Sequence, residues 1–199
     1  MTSKSVLLAV EDAPGAAVAT RLLADQRVDV AQVVGMRGNA YLRSKAAAFN
    51  RTATGFPVFM LTDLDNPKCC PSDLIAKWVV GRKHEDFLLR IAVVEVEAWI
   101  MADRYAFADF IRVPAGRVPA KPDDVPDPKQ FLVNLARKSS SSKLRQDMVP
   151  ADGSTAPVGP AYNPTITGFV RQRWCPSRAA ESSPSLRRTI ERVAAFAAR

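Results

Sequence analysis

Short, almost wholly apolar runs alternate along this chain with longer stretches whose apolar residues recur at helical spacing. Val6 to Val10, within residues 5–10, is a continuous apolar run. Such a run suits a strand buried on both faces of a parallel sheet. Pro14 and Gly15 break the run's continuation. Ala16 to Asp25 then reads as a helix with Val18, Leu22 and Leu23 on one side. Val28–Met36 is a second strand. Asn39–Arg51 is a basic amphipathic helix with Tyr41, Leu42 and Phe49 inward. Phe56–Leu61 is a third strand. A helix capped by Ser72 or Asp73 carries Leu74, Ile75, Trp78 and Val79 and stops by Gly81. Phe87–Val94 is a fourth strand, and Glu97–Ile111 a fourth helix. The order predicts an α/β fold: a doubly wound, mostly parallel sheet of about four strands flanked by helices.

Beyond residue 111 the texture changes. Val113–Pro128 holds five prolines and predicts a rigid connector or lid loop. Residues 129–137 suit a short helix. Lys138–Lys143 is serine-rich and reads as flexible. Residues 149–164 are again rich in Pro and Gly. Ser183-Pro184 opens a last helix, with Ser as N-cap and Pro at the first helical position. Leu186, Ile190, Val193 and Phe196 form its inner stripe. The expected organisation is an α/β domain over 1–111 and a Pro-rich, basic, partly helical extension over 112–199 packed on it.

Carboxylates stand where the strands end. Glu11 and Asp12 follow the first strand, Asp63 and Asp65 the third, and Glu95 and Glu97 the fourth. In open α/β sheets, functional groups gather outside the carboxyl ends of the strands. Carboxylates brought together repel one another, and a divalent cation relieves that repulsion. Side chains two apart on extended chain point the same way, so Asp63 and Asp65 can bind one Mg²⁺. Otherwise they cap a turn. Glu11 either ligates the ion or serves as general acid/base. Asp12 suits a helix cap better. Glu97, with Glu95, either completes the ligand shell or is held by the helix dipole alone. Asp103 is peripheral.

Charge sharpens this picture. Residues 1–128 hold 16 Lys/Arg and 16 Asp/Glu, whereas residues 129–199 hold 12 against 4. The net +8 thus lies in the last third of the chain and points to a polyanion. Lys138, Lys143, Arg145, Arg171 and Arg173 are the candidate nucleic-acid contacts, followed by Arg187, Arg188 and Arg192. Tyr162, Phe169 and Trp174 lie among them, as base-stacking platforms or as core. Apolar residues make up 47%, enough for a real core. Three cysteines and one histidine, His84, offer neither a disulfide framework nor a zinc site. No nucleophile motif or Gly-rich phosphate loop is present. The first apolar run is too short for a signal peptide or membrane span, so a soluble, cytoplasmic protein without a membrane partner is expected.

Val-Glu11-Asp after the first strand and Leu-Thr-Asp63-Leu-Asp65 after the third resemble the Toprim fold of topoisomerases, bacterial primases and OLD-family nucleases. Ile-Ala-Val-Val-Glu95-Val-Glu97-Ala-Trp-Ile-Met-Ala-Asp103 is similar to a segment of small bacterial Toprim-like proteins. The resemblance covers residues 5–111. It implies a general acid/base role for Glu11 and Mg²⁺ held by Asp63 and Asp65. On the strand-end reading, Glu97 and Glu95 complete the shell or hold a second ion, and the ion is Mg²⁺ or Mn²⁺. The implied activity is metal-dependent nucleic-acid cleavage, in a setting such as phage defence, with a companion protein or a homodimer as further partners. Asp12 stands where the family usually has Gly, and Asn66-Pro67 follows the Asp pair where Gly is frequent. These departures support the alternative, a non-catalytic nucleic-acid- or partner-binding protein on the same fold. Leu-Leu-Ala-Val-Glu-Asp also resembles the opening of a response-regulator receiver, with Asp63 as phosphoryl acceptor. Glu95 and Glu97 at the fourth strand's end would repel that phosphoryl group.

Overall fold

A computed structural model describes residues 4–64 and 69–199. Four strands form one all-parallel sheet: β1 (Lys4–Val10), β2 (Val28–Gly35), β3 (Val58–Asp63) and β4 (Phe87–Ala92), in the order β2-β1-β3-β4. The expected α/β architecture is the one observed.

Alternate residues of the strands feed two cores, as a period of two requires. Val6, Leu8 and Val10 of β1, Phe59 and Leu61 of β3, and Leu88 and Ala92 of β4 face the larger core. Helices α1 (Ala13–Asp25), α4 (Val96–Ala102) and α5 (Arg104–Ile111) cover that face. Ala9, Val58, Met60, Phe87 and Leu89 face the smaller core, under α2 (Asn39–Thr52) and α3 (Pro71–Trp78). β2 is an edge strand, bulged where Val6 gives way to Leu7 in the β1 register, and only Val28 of it is buried.

The extension adds five helices: α6 (Pro128–Arg137), α7 (Ser142–Met148), α8 (Tyr162–Gln172), α9 (Pro176–Ser182) and α10 (Pro184–Ala198). Leu132, Tyr162, Phe169, Trp174, Leu186 and Val193 join the core of α1 and α4, so extension and sheet share one apolar interior. Two short 3-10 turns lie within Val113–Pro128. Val118 and Pro122 are buried there, so the segment is a packed connector.

Three local expectations are corrected. The helix expected over Glu97–Ile111 breaks at Asp103, whose ψ of 64° leaves helical space. Asp103 is buried and accepts from Cys175 N (2.9 Å) and from Arg178 Nε and Nη2 (2.9 and 2.7 Å), so it ties the break to α9. The serines expected to be flexible are structured: Ser139 Oγ accepts from Ser141 N, and Ser141 Oγ caps α7. Neither Ser72 nor Asp73 caps α3, whose N-cap position is Cys70. By contrast, Asp12 and Ser183 cap α1 and α10 as expected, accepting from Gly15 N and Leu186 N.

Gly35 ends β2 at φ +96°, and a Cβ there would lie 2.4 Å from Val10 O. The closeness lets Met36 N bond to Val10 O (2.8 Å) and Gly38 N to Glu11 O (3.1 Å). The loop into α2 is thereby folded over the end of β1. Gly35→Ala is expected to lower stability by about 3 kcal/mol, through a left-handed backbone and a clash with backbone that cannot move aside. Thermal melting should show a drop of roughly 6–12 °C for a chain of this size.

Candidate metal centre

The connections leaving β1 and β3 run to opposite sides, because β2 lies beyond β1 and β4 beyond β3. The crevice between the carboxyl ends of β1 and β3 is therefore the topological switch point. Val10 pairs with Leu61, which sets Glu11 level with the last residues of β3. Glu11 Oε1 accepts from Thr62 Oγ1, from Asp63 N (2.8 Å) and from Asn39 Nδ2 (3.4 Å). Asn39 Nδ2 also donates to Thr62 Oγ1 (3.2 Å). The first residue of α2 and the last two of β3 thus fix the Glu11 carboxylate in orientation.

Asp63 pairs with Ala92 of β4 and engages one oxygen, Oδ1, with Val96 N at 2.9 Å. That bond satisfies an amide at the start of α4. Two residues before Val96, Val94, a buried β-branched residue, takes a left-handed φ of 60°. Such a conformation stores strain and is concentrated at functional sites.

Glu95 and Glu97 face the extension. Glu95 Oε2 accepts from Lys129 N at 2.8 Å. Glu97 is 1% exposed, and its Oε1 accepts from Tyr162 OH at 3.1 Å. Lys129 Nζ lies 3.4 Å from that same oxygen and 3.9 Å from Asp12 Oδ2. Lys129 sits in the first turn of α6, and this helix start brings a cation to the acids.

The electrostatics follow from this crowding. Asp63 is held well above the usual carboxylate range by its burial, then by the charges of Glu97, Glu11 and Asp12, with Lys129 opposing. Burial pushes Glu97 up to about 7, against the pull of Lys129. Burial disfavours the Lys129 ammonium, yet Glu97, Asp12, Glu95 and Asp63 together hold it above the ordinary lysine range. Tyr162 is kept a phenol by its burial and by Glu97. Four carboxylates, those of Glu97, Asp12, Glu95 and Asp63, thus act on one ammonium, while Glu11 acts on Asp63.

The donors present suit a hard divalent ion. They are carboxylate oxygens, and among the described residues no sulfur or imidazole is bonded to them. Among the described residues, no three His, Cys, Asp or Glu side chains form a ready-made metal cage. Mg²⁺ rarely uses one; it keeps waters and takes one or two carboxylates, with substrate phosphate supplying the rest. Glu11 and Asp63 fit that demand. Asp65, the other half of the Asp pair, lies outside the described residues.

The chain was compared with known protein families, curated proteins and solved structures. None of the three yields a match. The site's chemistry therefore rests on its own residues.

Among the described residues, the structure brings together Glu11, Asp63, Glu95 and Glu97, with Asp12 beside them. The candidate nucleic-acid contacts are spread over the extension. Lys138 and Arg171 are exposed. Lys143 pairs with Asp147 (3.2 Å) and Arg173 with Asp109. Arg145 donates to Ser139 O. Of the two readings of Tyr162, Phe169 and Trp174, core is the one observed, since all three are buried. Four polar partners of the acids were not foreseen as such from sequence: Asn39, Thr62, Lys129 and Tyr162. Only Lys129 left a trace. A lysine in the first turn of a helix opposes the dipole, and that is a reason to look for a carboxylate nearby.

Proposed function

We propose that this protein is a divalent-metal-dependent nuclease that hydrolyses phosphodiester bonds of DNA or RNA. One observation carries the reading: Glu11 and Asp63 meet at the switch point of a parallel sheet with Asp12, Glu95 and Glu97 beside them, and among the described residues Lys129 is the one ammonium paired with this group. Glu11 and Asp63, with Asp65, would hold Mg²⁺ or Mn²⁺. The ion would supply Lewis acidity toward a phosphate oxygen and offset developing charge. Thr62, Asn39 and Asp63 N keep Glu11 oriented, so its carboxylate can accept a proton from an attacking water or return one to a leaving oxygen. Lys129 already neutralises the side of the cluster formed by Glu95, Glu97 and Asp12, which favours an ion on the Glu11–Asp63 side. The net +8 of the chain supports a polyanionic substrate. The Toprim resemblance of the Glu11 and Asp63-x-Asp65 segments supports the same reading. A phage-defence effector working with a companion protein or as a homodimer belongs to it.

A second reading is a non-catalytic binding protein. It is favoured by Lys129 acting as a built-in counter-ion and by Asp63 capping α4. No helix among the described residues is long and apolar enough to cross a membrane.

The test is cleavage of labelled single- and double-stranded DNA and RNA by the full chain, in Mg²⁺, in Mn²⁺ and in EDTA. The nuclease reading expects cutting of at least one substrate with metal and none in EDTA. Metal-independent cutting, or binding in EDTA with no cutting under any condition, would contradict it.

A further inference from the structure

The other edge of the sheet carries a second charge anomaly, of opposite sign. Arg90 stands in mid-β4, on the face covered by α10, and its Nε donates to Thr189 Oγ1 at 3.3 Å. Thr189 is fully buried and Arg90 half-buried. Arg188 and Arg192, one helical turn apart on α10, are exposed. Lys83, in the loop before β4, is half-buried and donates to Phe87 O (2.8 Å) and His84 O (3.3 Å). Among the described residues, none of these four cations has an ion-pair partner. The nearby acids Glu85 and Asp86 are taken by Arg199 (2.8 and 2.7 Å). Glu191, beside Arg192, is the one acid of α10.

These cations act on one another. Burial, then the charges of Arg192 and Arg188, disfavour the Arg90 guanidinium. Burial, then Arg192, Arg90 and Arg199, disfavour the Lys83 ammonium. Holding like charges together, two of them half out of water, costs stability, and no acid among the described residues pairs with them to offset it. A row of phosphates would return it.

The direction of the row is set by the two ends of α10. Trp99 Nε1 of α4 donates to Ser185 Oγ at 2.6 Å, which pins the start of α10 near the acidic end of the sheet. Lys4 Nζ donates to Phe196 O at 2.8 Å, which pins its end at the opposite side. Helix α10 therefore runs antiparallel to β4, and its arginines trace the sheet edge away from the carboxylate cluster.

We propose that the edge formed by β4 and α10 is a docking strip for the phosphate backbone of a nucleic acid, carried by Lys83, Arg90, Arg188 and Arg192. The choice of nucleic acid over an acidic polypeptide rests on the nuclease reading. In the extension, by contrast, Lys143 and Arg173 are already paired with carboxylates.

The test is fluorescence anisotropy of the full chain in EDTA, with a labelled single-stranded DNA of about 20 nucleotides and its duplex. Arg188→Glu with Arg192→Glu should weaken binding at least ~10-fold, and the slope of log affinity against log salt should fall by about 2. Lys143→Glu should change affinity by less than about twofold, since that charge is exposed and already paired. Arg188→Gln with Arg192→Gln should melt at or above the wild-type temperature, which separates lost contacts from lost folding. Wild-type affinity in the double reversal would overturn the proposal, as would equally tight binding of polyglutamate. Strip variants that lose binding in a chain that never cuts would sustain the strip and overturn only the nuclease reading.

Discussion

Asp63→Asn is expected to lower metal-dependent cleavage by on the order of 10³-fold while leaving the fold and salt-dependent nucleic-acid binding intact. A metal ion supplies several kcal/mol of charge stabilisation in the transition state, and each 1.36 kcal/mol is tenfold in rate. The substitution is conservative where structure is concerned. An Asn oxygen accepts from Val96 N as Asp63 Oδ1 does, so the start of α4 stays satisfied. Removing one charge from a crowded group also relieves repulsion. In EDTA at neutral pH, the variant should therefore melt no lower than the wild type. Steady-state cleavage beside thermal melting checks both halves. A variant that cuts at the wild-type rate would remove Asp63 from the centre.

Lys129→Met is expected to cost about 2–4 kcal/mol, more at pH 8 than at pH 5.5. It keeps much of the lysine's apolar stem but strips the cation from buried Glu97. Breaking a buried pair from one side leaves an uncompensated charge, and the partner escapes only by taking a proton. Glu97 already titrates near 7 in the folded chain, above its ordinary 4.5. Its contribution is fully present below the unfolded value and is lost as pH rises through the folded one. Stability of the wild type should therefore fall between about pH 4.5 and 7 from this group, with Asp63 adding in the same direction. Without Lys129, the window extends upward. Melting curves across pH 5 to 8.5 measure this. A loss that is equal at every pH would show that Lys129 acts through packing alone.

Much of the fold was legible because parallel strands buried on both faces read as unbroken apolar runs. Val6–Val10 and Val58–Leu61 leave little choice. Ser183-Pro184 announced α10 through capping chemistry that is local. The break at Asp103 was not legible, because it depends on Arg178 and Cys175, 75 and 72 residues away. Apolar spacing continues across it from Ile100 to Phe107. The order in the serine segment was hidden for another reason. Serine composition signals flexibility, but side-chain caps such as Ser141 on Leu144 N convert it into structure.

The acids of the site were legible by position, since strand ends in such sheets converge. Their partners were not. Lys129 and Tyr162 reach Glu97 only through the packing of α6 and α8, and Asn39 reaches Glu11 only because Gly35 lets the loop cross β1. The aromatics of the extension were open to two readings. Their spacing among cations allowed a stacking surface, their usual burial a core, and they are core.

The most direct measurement is calorimetric titration of Mn²⁺ into the full chain at pH 7.5, wild type beside Asp63→Asn. The account predicts a saturable binding heat in the wild type that is absent in the variant. Equal heats in both chains, or none in the wild type even with a single-stranded oligonucleotide present, would contradict a metal centre at the ends of β1 and β3.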